Sequence, residues 1–193
     1  MLNALRLDAD QAMLLVIDVQ SKLLPLIEGR QEVTFQIQQL LRGVRIFDLP
    51  VLATEQYPEG IGSTVPPVAE LLTGSSAPVL EKDAFSACGD DQVREALRRI
   101  DRPQVIVCGI EAHVCVLQTT LDLVSMDHRV YICADAVGSR RRLDWQWGLS
   151  RMQQAGAVVT TTESALFELC ERCRTARFKQ LLGLIKASDA RRT

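Results

Sequence analysis

Six short apolar runs recur along the chain, each separated from the next by a helix-like or loop-like segment. They are AMLLVI at 12–17, PVLAT at 50–54, APVLEK at 77–82, QVIVC at 104–108, RVYIC within HRVYICADAV, and AVVTT at 157–161. Runs this short, rich in Val, Ile and Leu and bounded by turn residues, suit strands buried on both faces of a parallel sheet. The segments between them carry the helical period. Val33, Ile37, Leu40, Leu41 and Val44 recur over 31–47, and Val116, Leu117, Thr120, Leu121 and Val124 recur after Cys115. VAELL, DQVREALRRI and WQWGLSRMQQAG read as further helices, and Thr162 precedes a pair of helices separated near Arg174. Strands alternating with helices predict an α/β fold in three layers, α/β/α, around a mostly parallel sheet. The chain is of a length for one domain, over residues 1–193, and nothing in it suggests a second.

Loops are expected where Gly, Pro and polar residues cluster: EQYPEGIGSTVPP after the second run, DAFSACGDD after the third, and GSRRRLD after the fifth. Asp90 or Asp91 is placed to cap one helix, Asp144 another. The tail after about Ile185 is polar and is expected to fray.

A net charge of −2 provides no global field for nucleic acid or an anionic membrane. No apolar run approaches the ~18 residues that a bilayer span requires, and the first residues do not resemble a secretory signal. Cytosol is the default compartment. The expected partner is a small-molecule substrate, with no nucleic acid and no membrane.

Six cysteines invite a disulfide reading, which the length and the missing export signal argue against. Cys108 and Cys133 lie inside strand-like runs, where a thiol behaves as a small hydrophobe. Cys170 and Cys173 form one Cys-x-x-Cys pair on an apparent helix, without the second pair or the histidines of a zinc site. Cys88 reads as a loop thiol, open to oxidation if exposed. Cys115 differs from all of these. Gly109 marks the turn after QVIVC, so Cys115 stands where a strand has ended and a helix begins. That is the edge at which open sheets bind ligands, and the helix dipole there predicts a thiol that ionises more easily than in water.

Asp18 follows the first strand, Lys82 closes the third, and Cys115 follows the fourth, so all three fall at carboxyl ends of strands on one edge of the sheet. A carboxylate beside a thiol can act as its general base, and an ammonium can hold both in their charged forms. Each also has a plain structural reading: a capping Asp, a solvated loop Lys, a buried thiol.

In its motifs the chain resembles the isochorismatase-like cysteine hydrolases, which include nicotinamidases and related amidases. The similarity runs from about residue 12 to 170 and is carried by LLVIDVQ, KDAFSA, CGIEAHVCVLQT, ICADAVGSR and RMQQAGAVVTTTESALFEL in that order. TEQYP and GIEAHVC are most similar to the isochorismatase-domain subgroup. The resemblance implies a triad of Asp18, Lys82 and Cys115 and a six-stranded parallel sheet of order 3-2-1-4-5-6 (Rossmann-like). It further implies a cis peptide at Ile110–Glu111, and an oxyanion hole formed by the backbone N–H groups of Glu111 and Cys115. It implies amide-type hydrolysis through a thioester.

The departures bear on the substrate. Nicotinamidases carry an Asp and two His residues for a metal after the second strand; TEQYPEGIGSTVPP has no histidine, and His113 and His128 are the only two in the chain. No metal and no other cofactor is expected. A Cys nucleophile argues against isochorismate as the substrate. Gln56, Tyr57 and Phe85 either close over a small planar ligand or pack as ordinary loop residues, and His113 either lines the pocket or caps the helix. Arg140, Arg141 and Arg142 either pair a substrate carboxylate or form a solvated face or subunit contact. Trp145 and Trp147 cannot share one helical face, which fits a homo-oligomer. Two rival functions remain at this level: a non-catalytic oligomeric binding or scaffold protein with a vestigial triad, and a redox protein working through its thiols.

Overall fold

β1 (Ala12–Ile17) and β4 (Gln104–Ile110) run side by side at the centre of the sheet, and every residue of both is buried. Strand alternation sends Met13, Leu15 and Ile17 into one apolar layer and Leu14 and Val16 into the other, so the run reads as continuously hydrophobic. In this computed structural model, which describes residues 6–75 and 77–189, the sheet is completed by β2 (Val51–Gln56), β3 (Val79–Lys82), β5 (Arg129–Gly138) and β6 (Val158–Thr160). All pairings are parallel and the order is β3-β2-β1-β4-β5-β6.

One face is covered by α1 (Arg30–Ile46), α3 (Pro66–Thr73), α7 (Thr162–Cys170) and α8 (Ala176–Asp189). Their Ile37, Leu40, Leu41, Val68, Leu166 and Leu181 pack with Leu14, Val16 and Ile106. The other face is covered by α4 (Asp91–Ile100), α5 (Cys115–Ser125) and α6 (Arg142–Gln154), whose Val93, Leu97, Val116, Leu123 and Met152 pack with Met13, Leu15 and Val107. Each such side chain contributes about 1.5–3 kcal/mol when taken out of water. Among the described residues, no helix is long and apolar enough to cross a membrane.

The chain leaves β1 toward β2 on one side, while β4 and β5 lie on the other, so the strand order reverses between β1 and β4. A crevice opens at the carboxyl ends of strands where such a reversal occurs. Asp18 and the 111–115 turn sit at this point. Gly109 makes the close approach possible: its φ is +125°, and a Cβ there would lie 2.0 Å from the Ile17 carbonyl oxygen.

Local differences from the sequence reading have local causes. The Gly- and Pro-rich segment after β2 contains a single helical turn, α2 (Pro58–Ile61), with Pro58 at its first position, and β2 itself runs on through Glu55 and Gln56. Asp90 caps α4, accepting from Gln92 N at 2.9 Å. Asp144 is not a cap; α6 starts two residues earlier and Asp144 lies in its first turn. Thr161, one residue before the expected position, caps α7 by accepting from Ser164 N. The helix expected to fray after Ile185 continues to Asp189, and the rest of that tail lies outside the described residues. Cys170 ends α7 and Cys173 lies in the following turn, both as free thiols.

Candidate active site

Asp18 leaves β1 in a left-handed conformation, φ 51°, and its side chain is wholly buried. Thr54 Oγ1 donates to its Oδ1 at 2.8 Å, and Lys82 Nζ lies 2.8 Å from Oδ2. Among the described residues, no well-aligned hydrogen-bond donor is found on Oδ2, so its contact with Lys82 is an ion pair and the oxygen can still accept a proton. Lys82, at the end of β3, is held on all sides: Nζ donates to Gln56 Oε1 at 2.6 Å and to the Ala84 and Phe85 carbonyls at 3.1 Å. Buried ammonium and carboxylate groups are tolerated together only when both are paired and hydrogen-bonded in this way.

Cys115 begins α5 and is 5% exposed. Asp18 and Lys82 both come close enough to act on its sulfur, so the structure brings together the three residues that lie far apart in the chain. Its ionisation runs against the sequence expectation. Burial pushes the thiol from its ordinary 9.0 up to about 12, and the Asp18 carboxylate adds to the rise, while Lys82 opposes it. Desolvation is the largest of these effects. The net direction favours the protonated thiol over the thiolate.

The turn between β4 and α5 contains a cis peptide at Ile110–Glu111. Its backbone hydrogen bonds engage Ala112 N with the Gly138 carbonyl at 2.8 Å, and Val114 N and Val116 N with the Glu111 carbonyl at 3.0 and 3.2 Å. Among the described residues, the N–H groups of Glu111 and Cys115 are not donors in these bonds.

The expected pocket residues separate into three groups. Gln56 is buried beside Lys82: its amide oxygen accepts from Lys82 and its Nε2 donates to the Asp83 carbonyl at 2.7 Å. Tyr57 and Phe85, by contrast, are 56% and 55% exposed. His113 makes no cap hydrogen bond; its Nδ1 meets Ser139 Oγ at 3.0 Å, and it borders a cleft of about 290 Å³ with Arg140, Arg141 and Asp144. Of the three arginines, Arg140 pairs with Glu111, and Arg142 lies over the Trp145 ring. Cys88 is buried rather than an exposed loop thiol, because the 3-10 turn Ala87–Gly89 folds under α5, with Ala87 N donating to Thr119 Oγ1. Among the described residues, no three His, Cys, Asp or Glu side chains gather at metal-binding range.

The model of the isochorismatase domain matches residues 12–164. This chain belongs to the isochorismatase family. Among its relatives, the isochorismatase domain-containing protein 2 of Danio rerio is 37% identical over 182 residues, covering 93% of this chain and 89% of that protein. A solved structure of MAR1 ribonuclease from Caenorhabditis elegans superposes with a TM-score of 0.88 at 37% identity, covering 93% of this chain and 92% of that one. YcaC from Pseudomonas aeruginosa, solved with hexane-2,5-diol and covalent acrylamide, superposes with a TM-score of 0.88 at 25% identity, covering 98% of both chains.

Two supports of this isochorismatase-family site escaped the sequence reading. Gln20 is fully buried; its Nε2 donates to the Gln56 and Gly62 carbonyls, and its Oε1 accepts from Gln56 N at 2.7 Å. It thereby ties the segment after β1 to the end of β2. Thr54, the partner of Asp18, occupies an ordinary strand position. The signals available, a polar residue within the apolar β2 for Thr54 and one shortly after β1 for Gln20, are too general to single either out.

Proposed function

We propose that this isochorismatase-family chain is a cysteine hydrolase that cleaves a small amide or related C–N bond, with Cys115 as nucleophile, Asp18 as general base and acid, and Lys82 as the balancing cation. The observation that carries this reading is the buried Asp18–Lys82 ion pair, whose Oδ2 can still accept a proton and whose two side chains both interact with Cys115. As the sulfur attacks the carbonyl carbon, its proton passes to Oδ2. The oxygen of the tetrahedral intermediate accepts hydrogen bonds from Glu111 N and Cys115 N. Asp18 then returns the proton to the departing nitrogen, leaving an acyl thioester. Water, deprotonated by Asp18, adds to the thioester, and the sulfur leaves with the proton. Every step uses groups of this chain, and Lys82 offsets the negative charge wherever it resides.

The near closure of the sulfur favours a small substrate over a polymer. A ribonuclease reading, suggested by the C. elegans neighbour, asks for free cations along a phosphate track. Here Lys82 is engaged by Asp18, Arg140 is engaged by Glu111, and the net charge is −2. Leu143 and Trp147 stand well exposed on α6, which suits contact with a second copy of the chain.

The test is a screen for ammonia release over small amides, ureides and carbamoyl compounds, with the Cys115→Ala protein as blank. Turnover by the wild type that disappears in the blank is expected. Turnover undiminished in the blank would sink the assignment, and no turnover of any compound would favour a non-catalytic binding protein.

A further inference from the structure

We propose that the Glu111 carboxylate, clamped by Arg140, is a positioning group that fixes the two N–H groups offered to the oxyanion. The inference rests on the reading of Cys115 as the nucleophile, and it concerns side chains to which that reading assigns no role. Glu111 is buried, yet it is charged and sits in the turn that carries the nucleophile. Its Oε2 accepts from Arg140 N at 3.0 Å and from Arg140 Nε at 3.1 Å. Its backbone carbonyl accepts from Val114 and Val116, so the residue is held at both the side chain and the main chain.

The neighbouring residues follow suit. Ala112 N is bonded to the Gly138 carbonyl and His113 Nδ1 to Ser139 Oγ, so residues 111, 112 and 113 are each tied to one of residues 138–140. The end of β5 thus acts as a rail for the turn after β4. Among the described residues, the N–H groups of Glu111, His113 and Cys115 donate in none of these bonds, and those of Glu111 and Cys115 are the two that the proposed mechanism uses.

Electrostatics explains why a Glu–Arg pair suits the place. An unpaired buried carboxylate next to a developing oxyanion would repel it at low dielectric. Arg140 cancels that charge from the solvent side, being half-exposed where Glu111 is not. The pair therefore holds the turn without opposing the charge that the turn must stabilise. A displacement of this turn by about 1 Å would cost on the order of 10²-fold.

The experiment separates oxyanion binding from sulfur reactivity in the intact 193-residue chain. With [1-¹³C]propanal, the Cys115 sulfur adds to the carbonyl carbon: an S–C bond forms, the C=O π bond breaks, and the thiol proton ends on the oxygen. The resulting thiohemiacetal is read by ¹³C NMR. Iodoacetamide alkylates the same sulfur, releasing iodide, and builds no oxyanion. Glu111→Ala is expected to weaken the propanal adduct by roughly tenfold or more, with alkylation of Cys115 within about threefold of wild type and cooperative melting retained. Glu111→Gln, whose amide oxygen still accepts both bonds, should keep more of the adduct affinity. The Glu111→Ala/Arg140→Ala double variant should be no worse than Glu111→Ala alone.

An unchanged adduct affinity in both Glu111 variants overturns the proposal. So does a proportional fall in alkylation, which would mean that the sulfur itself had moved, and so does the lack of any wild-type adduct. If Glu111→Ala does not fold, Glu111→Gln against Arg140→Ala carries the same comparison. A wild-type adduct that responds to Glu111, together with a silent ammonia screen, would sink the amidase reading and leave the clamp standing.

Discussion

The Asp18 carboxylate and the Lys82 ammonium meet at 2.8 Å with neither side chain reaching solvent. A buried pair of this kind gives little net stability, because the Coulombic gain repays a large desolvation cost. Breaking it is another matter. On the proposed mechanism, the pair serves as a charge device next to Cys115 rather than as a staple of the fold.

Removing the base while keeping its shape should stop chemistry before it harms folding. Asp18→Asn is expected to lower kcat by roughly 10²–10⁴-fold, with the melting temperature changed far less than by a core truncation. A variant with wild-type kcat on the substrate found in the screen would remove Asp18 from the mechanism.

Lys82→Met should behave differently, since it leaves the buried Asp18 carboxylate without its counter-charge. A loss of about 3–5 kcal/mol is expected in urea unfolding, and the Asp18→Asn/Lys82→Met double variant should recover part of it. Equal stability of the single and double variants would contradict the coupling.

Alkaline pH should destabilise the protein through its buried thiols. Burial raises Cys88, Cys108, Cys115 and Cys133 above the ordinary 9.0, with Cys88 and Cys115 reaching about 12. Unfolded thiols lose their protons near 9 while the folded ones keep them, so above that pH the unfolded state binds fewer protons and stability falls as pH rises. The contribution is fully present below about pH 8 and is lost over roughly pH 9–12, at up to about 1.4 kcal/mol per pH unit for each thiol. Urea melts with reductant at about pH 8, 9.5 and 10.5 test this; a flat series would refute it.

Gly109→Ala should fail to fold or lose more than ~4 kcal/mol. The added Cβ would press into the Ile17 main chain, one residue before Asp18, at a φ that L-residues avoid. Soluble expression and circular dichroism decide the matter.

Much of this was legible without coordinates. The all-apolar run Ala12–Ile17 and the QVIVC run read as strands buried on both faces, and their abrupt ends at Asp18 and Gly109 pointed to the edge where the candidate site lies. Helical spacing located α1, α4 and α5 to within a residue or two. Chain-local chemistry failed where distance in space mattered. Gln56 could be read either as a pocket residue or as loop packing, and only the folded chain shows its amide engaged by Lys82 and Asp83. Cys88 looked like a loop thiol because its neighbours are polar, but the turn tucks beneath Thr119.

Residue patterning alone determined the layered α/β architecture, because strand and helix periods and apolar faces are properties of consecutive side chains. The burial that raises the Cys115 thiol, the engagement of Arg140 by Glu111 and the bracing by Gln20 were decided only by the folded chain. Each depends on desolvation and on partners many residues away, and those come into being when the sheet closes around them.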